Sequence, residues 1–73
     1  MVFEKIKEIV VEQLGVNGDD IKLETNFMED LGADSLDLFQ VVMDIEDAFN
    51  VKVSNVENMK TVGDAVKYIE SVL

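Results

Sequence analysis

One serine stands between two aspartates in residues 31–39, which read LGADSLDLF. A serine hydroxyl becomes a nucleophile only when a neighbouring base accepts its proton. The chain has no histidine and no cysteine, and the lysines nearest to Ser35 in sequence, Lys22 and Lys52, each lie more than a dozen residues away. We therefore expect no catalytic role for Ser35, and the residue needs another explanation.

The composition also lacks two of the side chains that commonly bind metal ions in proteins. Zinc sites are built mainly from histidine and cysteine, which the chain lacks. The acidic stretch 17–24, NGDDIKLE, does not have the alternating oxygen ligands of a helix-loop-helix calcium site. We expect no dedicated metal site, only weak binding of divalent cations to an acidic surface.

Acidic residues dominate the charge, with 16 Asp and Glu against six lysines and a net charge of −10. Such a surface repels nucleic acid and anionic membranes and attracts basic protein surfaces. The first residues mix charged with apolar side chains, so neither a signal peptide nor a membrane span is predicted. Together with the lack of cysteine, this favours a cytoplasmic protein. No basic residue interrupts the acids Glu24, Glu29, Asp30, Asp34, Asp37, Asp44, Glu46 and Asp47.

The length of 73 residues, 48% of them hydrophobic, predicts one folded domain over residues 1–73. Helical spacing of the apolar residues predicts an all-α fold, a small four-helix bundle with three main helices and one short helix. The second helix is predicted at 35–49, and capping boxes at 54–57 and 61–64 open the short helix and the last helix. In the first helix the apolar face comprises Phe3, Ile6, Val10 and Leu14, followed by Gly15 as a stop.

The remaining apolar residues divide between helix faces and a long connection at 16–34. Asn26 and Glu29 are predicted to cap a short helical turn within that connection. The connection is expected to be held to the core by Val16, Ile21, Leu23, Phe27, Met28 and Leu31. The predicted inward residues of the second helix are Leu38, Val41, Val42, Ile45, Ala48 and Phe49, and those of the last helix are Val62, Ala65, Val66, Ile69 and either Val72 or Leu73.

A second apolar stripe, Leu36, Phe39 and Met43, follows helical spacing on the same helix as Ser35. A helix in a small bundle rarely buries two faces, so we expect this stripe to stay exposed. An apolar patch within a charged rim is typical of a docking surface. The alternative is that Phe39 packs beneath the long connection. The predicted rim consists of Asp37, Gln40, Asp44, Glu46 and Asp47.

Ser35 itself has two interpretations. In the plainer one it is only the first residue of a helix that Asp34 caps. However, residues 29–37, EDLGADSLD, resemble the attachment motif of acyl carrier proteins. The resemblance continues through EIVVEQLGV, VVMDIEDAF and MKTVGDAVKYI, and so covers nearly the whole chain.

The resemblance implies a role for Ser35 that needs no base. In that family the serine of the motif carries 4′-phosphopantetheine, transferred from coenzyme A by a holo-synthase (a phosphopantetheinyl transferase), and acyl chains ride on the arm as thioesters. The resemblance implies that the protein is a carrier and not an enzyme, and that it is a monomer. It also implies that the protein serves as substrate and scaffold for fatty acid synthesis enzymes and acyltransferases with basic docking surfaces. In the family the acyl chain folds back between the helices, which implies an apolar slot lined by the second and third helices.

Partner recognition is expected along the second helix. Asp34, Leu36 and Asp37 match the family motif around the serine, and Met43, Glu46 and Asp47 match recognition positions further on. The second stripe adds Phe39, and Gln40 lies in the rim where the family often has an acid. Two further departures are Ser54, where proline is frequent, and a segment 53–59 that looks about two residues short of the family pattern.

Two other functions remain open on the sequence. The chain could carry intermediates of polyketide, nonribosomal peptide or D-alanine transfer on the same arm. It could also be a cofactor-free acidic helical adaptor whose apolar stripe binds a partner, in which case Ser35 would be dispensable.

Overall fold

Three α-helices make up most of the molecule. The computed structural model describes residues 2–53 and 56–73, with all of their side chains except that of Glu57. Helix α1 spans Val2–Leu14, α2 spans Ser35–Phe49 and α3 spans Val62–Val72, with 3-10 turns at Gly18–Asp20 and Val56–Asn58. The predicted all-α fold and the predicted bounds of the second helix are confirmed. Within the described ranges, none of these helices has the length and apolar character to cross a membrane.

The predicted short fourth helix is only partly matched. It is a single 3-10 turn, Val56–Asn58, closed by the N–H of Met59 donating to the carbonyl of Val56 at 2.9 Å. Met59 is buried, and the carbonyl of Lys60 accepts from Phe27 at 3.0 Å, so the chain leaves the helical path directly after the turn. The capping box predicted at 54–57 begins at two residues that lie outside the described part of the chain.

The core forms around α1, which packs against both α2 and α3. A helix with two neighbours needs a wide apolar face, and this explains why Ile9 is buried although it lies off the predicted face. On the helices, the predicted inward residue Ala48 is exposed, and so are both Val72 and Leu73, one of which was predicted to face inward. Ala48 lies beside the buried stripe of α2, and Val72 and Leu73 lie beyond Ile69, the last buried residue of α3. The buried apolar residues are Ile6, Ile9, Val10, Ile21, Phe27, Ala33, Leu38, Val41, Val42, Ile45, Met59, Val62, Ala65, Val66 and Ile69.

The long connection between α1 and α2 is anchored at fewer points than predicted. Ile21 and Phe27 are buried, and Val16 and Leu31 are half-buried against the core. Leu23 and Met28, which were expected to point inward, are 50% and 45% exposed. Gly15 ends α1 as predicted, because its φ of +65° is the left-handed conformation that glycine adopts without strain. Near the end of the connection the N–H of Ala33 donates to the carbonyl of Phe27 at 3.0 Å.

Asn26 organises the middle of the connection. Its Oδ1 accepts the N–H groups of Met28 and Glu29, both at 2.9 Å. Its own N–H donates to Oδ2 of Asp30 at 2.7 Å, and its Nδ2 donates to Oε2 of Glu29 at 3.2 Å. The predicted cap at Asn26 and the short helical turn that it caps are confirmed, because the N–H of Asp30 donates to the carbonyl of Asn26 at 3.0 Å, the hydrogen bond of a single helical turn.

Main-chain hydrogen bonds fasten the connection to the residues that open α3. Asn26 and Thr61 form an isolated antiparallel bridge at the centre of this contact. A Cβ atom on Gly63 would lie 2.8 Å from the carbonyl oxygen of Leu23, so only glycine fits there without displacement. The hydrogen bonds run from Phe27 to Lys60 at 3.0 Å, from Val62 to Thr25 at 2.9 Å and from Gly63 to Leu23 at 2.7 Å.

Candidate functional site

Ser35 is the first residue of α2, and its side chain is exposed. The helix starts here because Asp34 caps it, with Oδ1 accepting the N–H of Asp37 at 2.9 Å. In return Oδ2 of Asp37 accepts the N–H of Asp34 at 3.4 Å, which completes a capping box. The predicted cap is therefore confirmed, and it fixes Ser35 at the tip of the helix.

The main-chain amides at the start of α2 are open. The first N–H groups of any helix have no acceptor within the helix. Here the amide of Asp37 donates to the side chain of Asp34, and the amide of Leu38 donates to the main-chain carbonyl of Asp34. No residue in the described ranges accepts from the amides of Ser35 and Leu36. Free amides and the positive end of the helix dipole favour an anionic group such as a phosphate at this place.

The Ser35 hydroxyl has no activating partner among the described side chains. None of them forms a hydrogen bond with it, and the carboxylates of Asp34 and Asp37 are engaged with main-chain amides. The site therefore presents a hydroxyl to the outside and supplies no base of its own to deprotonate it.

A groove with two parts begins beside Ser35. The first part has a volume of about 250 Å³ and is lined by Met28, Ser35, Leu38, Phe39 and Val56. The second part has a volume of about 340 Å³ and is lined by Asn26, Met28, Glu29, Leu38, Met59 and Lys60. Both parts share Met28 and Leu38. The first part lies between α2 and the turn Val56–Asn58, which is where the family resemblance implies an apolar slot.

The second apolar stripe of α2 is open to solvent. Leu36, Phe39 and Met43 are 75%, 52% and 55% exposed, so Phe39 is not buried beneath the connection. Gln40 and Asp47 in the predicted rim are also exposed. The arrangement is an apolar centre bordered by polar and acidic side chains, as a docking surface requires.

Two acids of the predicted rim make internal contacts. Asp44 is half-buried and accepts a hydrogen bond from Nε2 of Gln13, which links α1 to α2. Glu46 is also half-buried, and its Oε2 accepts the N–H of Val53 at 2.7 Å. The rim is therefore less free than the sequence predicts, because these carboxylates also hold the fold together.

Sequence reasoning missed the side chains that the fold brings next to Ser35. Met28 was assigned to the core and Met59 was given no role, whereas Val56 belongs to the short helix that was expected to line the slot. The residues around them form irregular turns, which have neither the helical nor the strand period that sequence patterns reveal. The folded connection places Met28 beside α2, and the segment that begins with the turn Val56–Asn58 places Val56 and Met59 there.

Comparison with known proteins decides the family. A family model described as "Phosphopantetheine attachment site" matches residues 4–69. The acyl carrier protein of Lactococcus lactis subsp. cremoris is 54% identical over 70 residues, which cover 96% of this chain and 94% of the relative. The chain belongs to the acyl carrier protein family. The acyl carrier protein of Streptococcus pneumoniae serotype 4 is also 54% identical, over 69 residues that cover 94% of this chain and 92% of the relative.

Solved structures agree with this family assignment. The acyl carrier protein from Enterococcus faecalis aligns with a TM-score of 0.81 at 33% identity, over 96% of this chain and 91% of that one. A proposed acyl carrier protein from Mycobacterium tuberculosis aligns with a TM-score of 0.92 at 31% identity, over 100% of both chains. The bundle is therefore the acyl carrier fold.

Membership fixes the general activity. The protein takes a 4′-phosphopantetheine prosthetic group and carries acyl chains, as a carrier and not a catalyst. Acyl carrier proteins work with phosphopantetheinyl transferases and synthase enzymes, typically in fatty acid synthesis. The described residues fit such a group, since they offer an exposed hydroxyl, two open amides and an adjoining apolar groove.

Proposed function

We propose that Ser35 is the residue to which 4′-phosphopantetheine is attached. The observation that carries this proposal is the exposed hydroxyl at the open start of α2, where the amides of Ser35 and Leu36 can receive a phosphodiester. Ser71 offers no comparable setting, because its hydroxyl lies at the end of α3 and donates to the carbonyl of Tyr68 at 2.7 Å. When bound, the group supplies a thiol that holds acyl chains as thioesters.

The acids beside Ser35 serve partner enzymes more than they serve the phosphodiester. Asp34 and Asp37 place negative charge near the attachment point, which opposes a second anion there. The same charges attract a basic transferase surface and orient its approach, which speeds association more than it tightens binding. This balance suits a carrier that must dock, deliver and leave quickly.

The recognition surface that we propose lies along α2. Its centre is the exposed apolar stripe, with Leu36 next to Ser35 and 75% exposed, the position of a docking anchor. Charged and polar neighbours form the rim and set the orientation of the partner. The full proposed set is Asp34, Leu36, Asp37, Phe39, Gln40, Met43, Glu46 and Asp47.

The pathway that we propose is fatty acid synthesis, with holo-synthase, acyltransferases and synthases as partners and the protein as their substrate and scaffold. Support comes from the bacterial acyl carrier proteins at 54% identity over most of their length.

We further propose that residues 1–73 act as a single acyl carrier domain, as a monomer, in the cytoplasm. The net charge of −10 supports a monomer, because like-charged copies repel each other.

The attachment residue is tested by mass spectrometry. The protein is incubated with coenzyme A and a phosphopantetheinyl transferase, and the intact mass is followed by fragmentation to locate the adduct. We expect one adduct on the wild type, none on Ser35→Ala, and a normal adduct on the control Ser71→Ala. An unmodified wild type, or an adduct that survives in Ser35→Ala, would overturn the assignment.

The pathway is tested separately by loading. The modified protein is offered to a malonyl transferase of fatty acid synthesis and, in parallel, to an adenylating enzyme that loads amino acids. We expect transfer of malonyl and no transfer of an amino acid. The reverse result would place the carrier in peptide or D-alanine chemistry while leaving the attachment at Ser35 intact.

A further inference from the structure

Met28 stands where the two parts of the groove meet. It lines both parts together with Leu38, but the two side chains differ in freedom. Leu38 is 6% exposed and belongs to the buried stripe of α2, whereas Met28 is 45% exposed on the turn that precedes α2. A methionine side chain has three rotatable bonds and adapts to irregular gaps. Met28 is therefore the movable wall of the passage, and Leu38 is the fixed one.

The backbone that carries Met28 is held in place. Its N–H donates to Oδ1 of Asn26 at 2.9 Å, and the preceding residue, Phe27, is 1% exposed in the core. The N–H of Phe27 is bonded to the carbonyl of Lys60 at 3.0 Å. A change in the passage therefore requires only a rotation of the Met28 side chain, and no movement of the connection.

The two parts of the groove differ in what they offer an apolar chain. The first part includes Ser35 and the apolar side chains of Phe39 and Val56. The second part is lined by Met28, by Met59, which is 3% exposed, and by three polar residues. Burial of methylene groups is favourable along the apolar walls and brings no gain against amide and charged groups. The polar residues in the lining of the second part are Asn26, Glu29 and Lys60.

We propose that Met28 determines which acyl chain lengths the protein shelters. Its side chain separates the part of the groove beside Ser35 from the second part. Longer acyl chains reach the second part only by displacing the Met28 side chain. This inference rests on the proposed attachment at Ser35 and adds a specificity-determining residue to it. The occupant is the acyl chain carried from Ser35, since the first part of the groove is continuous with that residue.

The experiment follows main-chain amide signals by NMR while the acyl chain is lengthened two carbons at a time. The protein is loaded from saturated acyl-coenzyme A by a phosphopantetheinyl transferase, and its intact mass confirms each load. Phe39 reports on the first part of the groove. Asn26 and Lys60 report on the second, and the amide of Lys60 donates to Asp64 in the folded protein. In the wild type we expect Phe39 to shift from the shortest chains, and Asn26 and Lys60 only above a threshold length.

Substitutions at Met28 should move that threshold. Met28→Ala opens the passage, so the threshold falls to shorter chains. Met28→Trp blocks it, so the threshold rises or the response at Asn26 and Lys60 is lost. Met28→Leu has a similar volume and keeps the wild-type threshold. The control Val72→Ala alters a residue with the same 45% exposure that lines neither part of the groove, and leaves the threshold unchanged.

Two results would overturn the inference. One is a threshold that is identical in Met28→Ala and wild type. The other is a loaded protein in which Asn26 and Lys60 never respond at any chain length. Both leave the attachment at Ser35 standing, because the mass of the loaded protein reports on it independently. If no load appears on Ser35, the proposed function and this inference fail together.

Discussion

Helices α2 and α3 begin with the same device and end up with different roles. Each opens with a capping box, Asp34 with Asp37 in α2 and Thr61 with Asp64 in α3. In α3 the next two amides donate to carbonyl groups of the long connection, which covers the helix start. In α2 the corresponding amides meet no acceptor within the described ranges. Local sequence builds both starts, but what lies over them decides whether the start supports the fold or receives a ligand.

The largest expected effect is at Gly63, where the connection covers the start of α3. The substitution Gly63→Ala places a Cβ atom 2.8 Å from the carbonyl oxygen of Leu23 and must push the connection off α3. The strain of about 1–3 kcal/mol exceeds the gain of about 0.5–1 kcal/mol that alanine brings to a helix. We expect a net loss of about 1–2 kcal/mol in the free energy of unfolding, measured by urea denaturation.

Gly18→Ala is the matched control for Gly63→Ala. At Gly18 the nearest atom to a new Cβ is the flexible end of Lys7 at 3.1 Å, which can move aside. We expect a change within about 0.5 kcal/mol there. A Gly63→Ala protein as stable as wild type would mean that the cover on α3 contributes little.

Removing the cap of each helix in turn should destabilise the covered start of α3 more than the open start of α2. Thr61→Ala should lower the free energy of unfolding by about 1 kcal/mol, because the amide of Asp64 is partly buried and loses its acceptor. Asp34→Ala should cost less, about 0.5 kcal/mol, since the amide of Asp37 is exposed and a repulsive charge is also removed. Thermal unfolding measures both losses, since the melting temperature falls by about 4–8 °C for each kcal/mol lost.

Asp34→Asn separates the cap from the charge. Asparagine caps a helix as well as aspartate does, so this variant should match or exceed the stability of the wild type. A large loss in Asp34→Asn, or an Asp34→Ala protein less stable than Thr61→Ala, would show that the open start of α2 is more structural than its exposure indicates.

The smallest effect concerns charge. Helix α2 contains four acids and no lysine, whereas α3 contains Lys67 beside its two acids. Magnesium or added salt should therefore stabilise the fold by up to about 1 kcal/mol and increase hydrogen-exchange protection more in α2 than in α3. We expect calcium to act like magnesium, since both ions screen the same surface charges. A flat melting temperature, or protection gained mainly in α3, would contradict this account.

Local chemistry could be predicted from the sequence, and contacts between distant segments could not. The caps at Asp34 and Thr61, the bounds of α2 and the exposed stripe at Leu36, Phe39 and Met43 follow from spacing within one helix. The position of Met28 was predicted wrongly because an irregular turn gives no periodic signal of which side faces inward.

The prediction of a short helix before α3 was only partly matched, for a similar reason. A capping pattern at 54–57 predicts a helix, but the hydrogen bond between Phe27 and Lys60 takes the chain away from the helical path. The internal contacts of Glu46 with Val53 and of Asp44 with Gln13 also join segments that the sequence does not relate. Such tertiary contacts override local propensity, and only a folded chain reveals them.

The hydrogen bonds within the connection have a mechanical consequence for any enzyme that meets this carrier. Asn26 ties the turn together, and Ala33 donates back to the carbonyl of Phe27 just before α2 begins. The backbone that leads to Ser35 is therefore held by hydrogen bonds and is not a free linker. The attachment point proposed there is fixed relative to the docked carrier. The length of the arm alone must therefore match the depth of a partner's active site.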